Sequence, residues 1–281
     1  MCYTKNMLIA VDTGGTKTLV ASFSQDGSLR ASSKFPTPPG TDEYLQQLIA
    51  TITQLRGDDA ITAIVIALPG IVKNGIAIWC NNLKWSNFDI KSALSDAFPD
   101  IPLLVENDAN LAGLAETRAL TVVPRSSLYV TISTGIGTGV ITNGSIDQGL
   151  RLSEGGRALV EYDGLVREWE SFASGSAIKK TYDRYARDIT KKADWDHIAD
   201  RISRGFLVLI PIIQPDAIII GGSIGTYFDR YSEQLTALLT EKMPQHIPVP
   251  PITQAVHPEE AVIYGCYYHA LDSLADSARS I

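Results

Sequence analysis

The residues best suited to chemistry in this 281-residue chain are three segments rich in glycine and hydroxyl groups and one acidic junction. Asp12-Thr13-Gly14-Gly15-Thr16-Lys17 lies between two apolar runs, 8–11 and 18–24. Glycines let backbone N–H groups close on an anion, the hydroxyls and Lys17 add donors, and a carboxylate such as Asp12 can hold Mg²⁺ through water. The competing reading is a tight hairpin that merely needs glycine. It is not a P-loop or a dinucleotide fingerprint, because a strand follows where a helix would have to start. Ser133-Thr134-Gly135-Ile136-Gly137-Thr138-Gly139 repeats the pattern, and Gly221-Gly222-Ser223 follows the apolar run 217–220. Ligands commonly sit beyond the C-terminal end of such a strand. Each loop alone is ordinary turn chemistry; a strand–Gly/Thr–strand loop in each half points to a nucleotide clamped between two domains. A side chain at Gly135 is expected to obstruct the phosphate.

Glu106-Asn107-Asp108 stands where a strand pattern gives way to a helix pattern. Asn107 or Asp108 can cap that helix. Equally, a carboxylate beside a helix N-terminus is favoured in its charged form, which suits a general base.

The elements that would position these residues follow from periodicity. Strand, loop, strand, turn and strand cover 8–34, and Tyr44, Leu45, Leu48, Ile49, Ile52 and Leu55 repeat at helical spacing up to Gly57. Strands are expected over 61–67, 102–105, 128–133, 140–142 and 216–220. Helices are expected after 108 and over 165–173, 176–189, 197–213, 227–239 and 259–275. Both halves open with strand, glycine loop, strand, so two similar α/β units are expected, with a boundary near 119–124. Net charge is −7, which argues against a nucleic-acid binder. No apolar run is long enough to span a membrane, and the first residues do not form a signal sequence. Three scattered cysteines suit a reducing cytoplasm. The four histidines are scattered and form no catalytic pair.

Taken in order, these motifs resemble the ROK group (repressors, open reading frames and sugar kinases) of the actin-like ATPase and sugar kinase superfamily. Residues 12–17 resemble the family's first phosphate loop, Leu68-Pro69-Gly70 its sugar-side loop, and Asn82-Leu83-Lys84-Trp85 its Asn-Leu-x-Trp segment. Glu106-Asn107-Asp108-Ala109-Asn110 resembles its catalytic segment, 134–139 its second phosphate loop, 218–222 its adenosine-side turn, and 170–175 a stretch whose Glu touches the sugar. The resemblance implies an α/β protein of two actin-like, ribonuclease H-like domains with a cleft between them. The small domain would be 1–118 plus 262–281, the large one 119–261. It implies ATP-dependent phosphorylation of a sugar hydroxyl, with Asp108 as catalytic base. Gly70, Asn82, Asn107, Asp108, Glu154, Arg157 and Glu170 would bind the sugar. Asp12, Gly14, Gly15, Thr16, Lys17, Thr134, Gly135, Gly137, Gly221 and Gly222 would bind ATP, with Mg²⁺ on Asp12 through water. It also implies a cytoplasmic protein and allows a homodimer.

The sequence departs from the family at Ser153-Glu154-Gly155-Gly156-Arg157, where Arg157 replaces a His, and no cysteine lies between Cys80 and Cys266. A structural zinc needs four N or S ligands, so no zinc is expected. Arg157 is expected to pair with Glu154 or Glu170 and brace them; the alternatives are a contact to ligand and a solvent-facing position. The rival to a kinase is a non-catalytic sugar-binding or regulatory protein on the same fold. A polyphosphate-dependent kinase would want a basic run, which the sequence lacks.

Overall fold

The computed structural model describes residues 6–257 and 260–279. Cys2 and residue 259, where the last helix was expected to begin, lie outside the described residues. The chain forms two compact units, Met1–Ala115 with Glu260–Ile281, and Glu116–Glu259.

The first unit starts with β1 (Asn6–Thr13), β2 (Lys17–Ser24) and β3 (Leu29–Pro36), followed by α1 (Thr41–Arg56) and β4 (Ala60–Leu68). A small antiparallel sheet follows, made of β5 (Ile71–Lys73), β6 (Ile76–Cys80) and β7 (Trp85–Asp89), then α2 (Ile90–Ser95), β8 (Leu103–Asn107) and α3 (Asp108–Ala119). The main sheet has the order β3-β2-β1-β4-β8, antiparallel on the β2–β3 side and parallel from β1 to β8. Its central strands carry continuous apolar runs because both faces are covered: Met7–Val11 and Ala63–Leu68 are all buried. The edge strand β3 is mostly exposed, as its polar sequence LRASSKFP requires. β5–β7 were not expected from the sequence. Asn74 and Gly75, both at positive φ, turn β5 into β6.

The second unit repeats the plan with β9 (Ser126–Ile132), β10 (Ile136–Thr142) and β11 (Ser145–Ile146). There follow the hairpin β12 (Leu159–Tyr162) and β13 (Leu165–Glu168), then α4 (Glu170–Ala173), α5 (Gly175–Tyr182) and α6 (Lys192–Ile213). β14 (Ala217–Gly221), α7 (Gly222–Gly225), α8 (Ser232–Lys242) and β15 (Ile252–Gln254) complete it, in a sheet of order β11-β10-β9-β14-β15. The helix expected over 165–173 is wrong in its first half. Asp163 and Gly164, with φ of 54° and 75°, form a two-residue turn between β12 and β13, and only 170–173 is helical. Leu165, Trp169 and Phe172 happen to share a helical spacing, but the turn decides. The second glycine segment is shorter than expected: Gly137 pairs with Thr131 inside the sheet, so the loop itself is 133–135.

α9 (Ala261–Arg279) returns to the first unit and packs on β1 and β4. Gly265 is required there, because a Cβ would strike the Leu111 carbonyl of α3. The unit border falls inside α3, between Ala115 and Glu116. Among the described residues no helix is long and apolar enough to cross a membrane.

Candidate active site

In the first unit the site residues gather at the ends of β1, β4 and β8. α3 needs an N-cap, and Asn107 supplies it: its Oδ1 accepts the Asn110 backbone N–H at 3.0 Å. Its Nδ2 donates to the Gly70 carbonyl at 2.8 Å. Gly70 has φ of 88°, and a Cβ there would strike the Trp79 carbonyl, so only glycine fits this close approach. The buried Glu106 accepts from the Asn107 N–H at 2.8 Å and from Asn110 Nδ2 at 3.0 Å, fixing the junction from beneath. With capping done by Asn107, Asp108 heads the helix as a partly exposed carboxylate whose Oδ1 accepts the Ala109 N–H at 2.8 Å.

Asn82 sits exposed on a short 3-10 turn, 81–83, against Gly15: a Cβ on Gly15 would lie 3.2 Å from the Asn82 carbonyl. The sequence separates these two segments by 67 residues; the fold brings them into contact. The first loop is tied by the Gly14 N–H to the Lys17 carbonyl at 3.0 Å and by Thr37 Oγ1 to the Gly14 carbonyl at 2.7 Å. Thr16 and Lys17 are exposed. Burial pushes the Asp12 carboxyl up to about 6, an effect that Lys17 and Lys34 offset in part.

In the second unit Glu154, Arg157 and Glu170 converge on the start of β10. Gly155 and Gly156 allow this: the Gly155 N–H donates to Thr138 Oγ1 at 3.0 Å, and a Cβ on Gly156 would strike the Ile136 carbonyl. Burial raises the Glu154 carboxyl above its usual range; Arg157 opposes the shift and Glu170 adds to it. Arg157 pairs with Glu170 at 3.3 Å, one of its two expected partners, and more closely, at 2.6 Å, with Glu168, which no motif marks. Glu170 Oε2 accepts the Ile136 N–H at 2.8 Å. It also occupies the place where a Gly135 Cβ would be. Substitution at Gly135 therefore meets Glu170 directly, in addition to the expected obstruction of a phosphate. Glu170 is aimed by Trp169, which is fully buried with its ring in the space left by Gly205.

A cavity of about 390 Å³ lies in the same unit, lined among others by Ser133, Thr134, Gly222, Tyr185, Lys179 and Arg187. Gly222, at φ 77°, has no room for a side chain against the Ile132 carbonyl, and a Cβ on Gly221 would strike the Tyr129 hydroxyl. Lys179, Tyr185 and Arg187 were not singled out from the sequence; no local motif marks them. Lys179 Nζ donates to the Tyr185 hydroxyl at 2.9 Å and lowers its pKa. Among the described residues no group of three or more His, Cys, Asp or Glu is placed to hold a metal ion.

The ROK family profile matches residues 8–273. Among curated relatives, a kanosamine kinase of Amycolatopsis mediterranei is 26% identical over 84% of this chain and 87% of its own length. Among solved structures, a ROK family glucokinase from Streptomyces griseus, in complex with glucose and AMPPNP, superposes with a TM-score of 0.80 at 21% identity, covering 95% of this chain and 99% of that one. An inorganic polyphosphate/ATP-glucomannokinase from Arthrobacter sp. strain KM gives 0.72 at 27% identity, covering 95% and 99%.

Proposed function

The chain belongs to the ROK family, and from that membership we propose that it is an ATP-dependent sugar kinase, moving the terminal phosphoryl group of ATP to a hydroxyl of a hexose or of an amino or N-acyl sugar. The fold is the two-domain actin-like fold of the kinases it matches. The discontinuous unit is assigned as the small domain and 116–259 as the large one.

One observation carries the chemistry: Asp108 heads α3 while Asn107 does the capping. The carboxylate thus stands in the positive field of the helix N-terminus, with one oxygen on the Ala109 N–H and the Asn110 N–H left to Asn107, which suits a group that must take a proton from an attacking hydroxyl. Asn82, Asn107 and Gly70 are assigned to the acceptor in the first unit, Glu154 and Glu170 in the second. Asn107 keeps one Nδ2 hydrogen beyond its bond to Gly70 for that purpose.

The residues present fit a nucleotide. The Ser133 N–H bonds the Gly135 carbonyl at 2.8 Å and the Ile136 N–H is held by Glu170. Among the described residues no partner is found for the N–H groups of Thr134 and Gly135, and the 390 Å³ cavity is lined by Thr134. These donors are assigned to phosphate in the second unit, and Gly14, Gly15, Thr16 and Lys17 are assigned to phosphate in the first. The cavity beside Gly221 and Gly222 is assigned to the adenosine. Asp12 fits Mg²⁺: it is a desolvated carboxylate that Lys17 and Lys34 neutralise only in part, and it would hold the ion through water. Bound Mg²⁺ supplies charge neutralisation for the transferring phosphoryl group.

The test is an ADP-release screen of the purified chain with Mg·ATP across hexoses, amino sugars and N-acyl sugars, run in parallel with polyphosphate as donor. Acceptor-dependent ADP release is expected. Sugar binding with no ADP release from any acceptor would overturn the kinase reading in favour of a regulatory binder.

A further inference from the structure

Glu170 is held on both of its carboxylate oxygens. Oε2 accepts the Ile136 N–H at 2.8 Å, and Oε1 lies 3.3 Å from Arg157 Nη2. Arg157 Nη1 donates to Glu168 Oε2 at 2.6 Å. The guanidinium therefore bridges two carboxylates that flank Trp169, itself locked in the core. Through Glu170 this bridge reaches the first residue of β10, directly after the phosphate loop 133–135. The loop is fixed at its other end by the Gly175 N–H, which donates to the Ser133 carbonyl at 2.7 Å. Gly175 too can only be glycine, since a Cβ would lie 2.6 Å from that carbonyl.

The side chains of Arg157, Glu168 and Glu170 are 31%, 43% and 26% exposed. Ion pairs this accessible add about 0–1 kcal/mol to stability. Their effect is geometric: a planar fork holding two carboxylates restricts where Glu170 can point, which a point charge would do less well.

We propose that Arg157 is a positioning residue for the donor phosphates, acting through Glu170 on Ile136 so that the Thr134 and Gly135 N–H groups are preset to receive an anion. The carboxylate assigned to the acceptor thereby also shapes the phosphate loop, and the two substrates share one support within the second unit. This rests on the kinase reading above.

The test is calorimetric titration of the full chain with Mg·AMPPNP in the absence of any sugar, alongside thermal melts. Arg157→Ala is expected to weaken AMPPNP binding by about 10-fold with little change in Tm. Arg157→Lys is expected to recover only part of the loss. Glu170→Gln, which keeps an acceptor for the Ile136 N–H but loses its pairing with Arg157, should lose affinity to a similar extent as Arg157→Ala; wild-type affinity would overturn the relay. Folded Arg157→Ala binding AMPPNP as tightly as wild type would overturn the relay while leaving the kinase reading intact. If Arg157→Ala fails to fold, Arg157→Lys decides: wild-type affinity overturns the relay, a partial loss supports it. Absence of AMPPNP binding by the wild-type chain would overturn the kinase reading and the relay with it.

Discussion

Asn107 joins two loops that the sequence keeps apart: its Oδ1 caps α3 on the Asn110 N–H at 3.0 Å while its Nδ2 holds the Gly70 carbonyl at 2.8 Å. Asn107→Asp keeps the cap but replaces the donor with an oxygen facing a carbonyl. The expected result is a small change in Tm and a clear loss of kcat/KM for the acceptor, because the Gly70 loop is released. Replacement by Ala removes both bonds and should lower stability further, by about 0.5–2 kcal/mol for the lost cap. Urea unfolding of the two variants, set beside their acceptor kinetics, separates the roles.

Asp108→Asn should reduce kcat by about 10²–10⁴ while AMPPNP binding and Tm stay close to wild type. The amide preserves shape and can still accept the Ala109 N–H, and the Asn110 N–H is held by Asn107, so loss of the Asp108 charge should cost no more than about 0.3–1 kcal/mol of stability. Turnover within a few-fold of wild type would remove Asp108 from the role of base.

Asp12 gives a pH signature. Its carboxyl titrates at about 6 in the folded chain against 3.8 unmodified, so the folded state binds the proton more tightly. Ionisation then costs stability: nothing below pH ~4, increasing from there to pH ~6, and the full amount above. Asp12→Asn abolishes that cost. The variant should be more stable than wild type by about 1–3 kcal/mol near neutral pH, with the advantage gone near pH ~4. Denaturant melts at the two pH values measure the difference; an advantage that persists unchanged at the lower pH contradicts the assignment.

Gly205→Ala should be disruptive although alanine favours helix, because its Cβ would enter the Trp169 ring. Overpacking of this kind costs about 1–3 kcal/mol. Because Trp169 precedes Glu170, the variant should also weaken Mg·AMPPNP binding. Melts and calorimetry on the same preparation test both effects.

Much of the fold was legible because its signals are local. The runs at 7–11 and 63–68 are apolar throughout, as central parallel strands demand, and Gly57 caps α1 at φ 54° as its position implies. At 159–168 helical spacing in the sequence competes with the Asp163-Gly164 turn, and the turn, which closes the β12–β13 hairpin, prevails. In the site, each motif residue was visible as a type, but the contacts that give it meaning were not. Gly15 against Asn82 and Glu170 against Gly135 are produced by tertiary folding, and nothing in the local pattern announces them. Glu168 escaped notice for the same reason: it is an ordinary strand residue until Arg157 reaches it.

The return of α9 to the first unit has a consequence for biosynthesis. Residues 116–259 form one uninterrupted stretch, whereas the sheet built by β1, β4 and β8 is covered by a helix made after that stretch. As the chain leaves the ribosome, the first unit is translated first and finished second. Until Gly265 can seat against Leu111 and Cys266 is buried, the nascent first unit exposes an apolar sheet face, and its window of vulnerability to aggregation lasts for the whole time needed to synthesise the second.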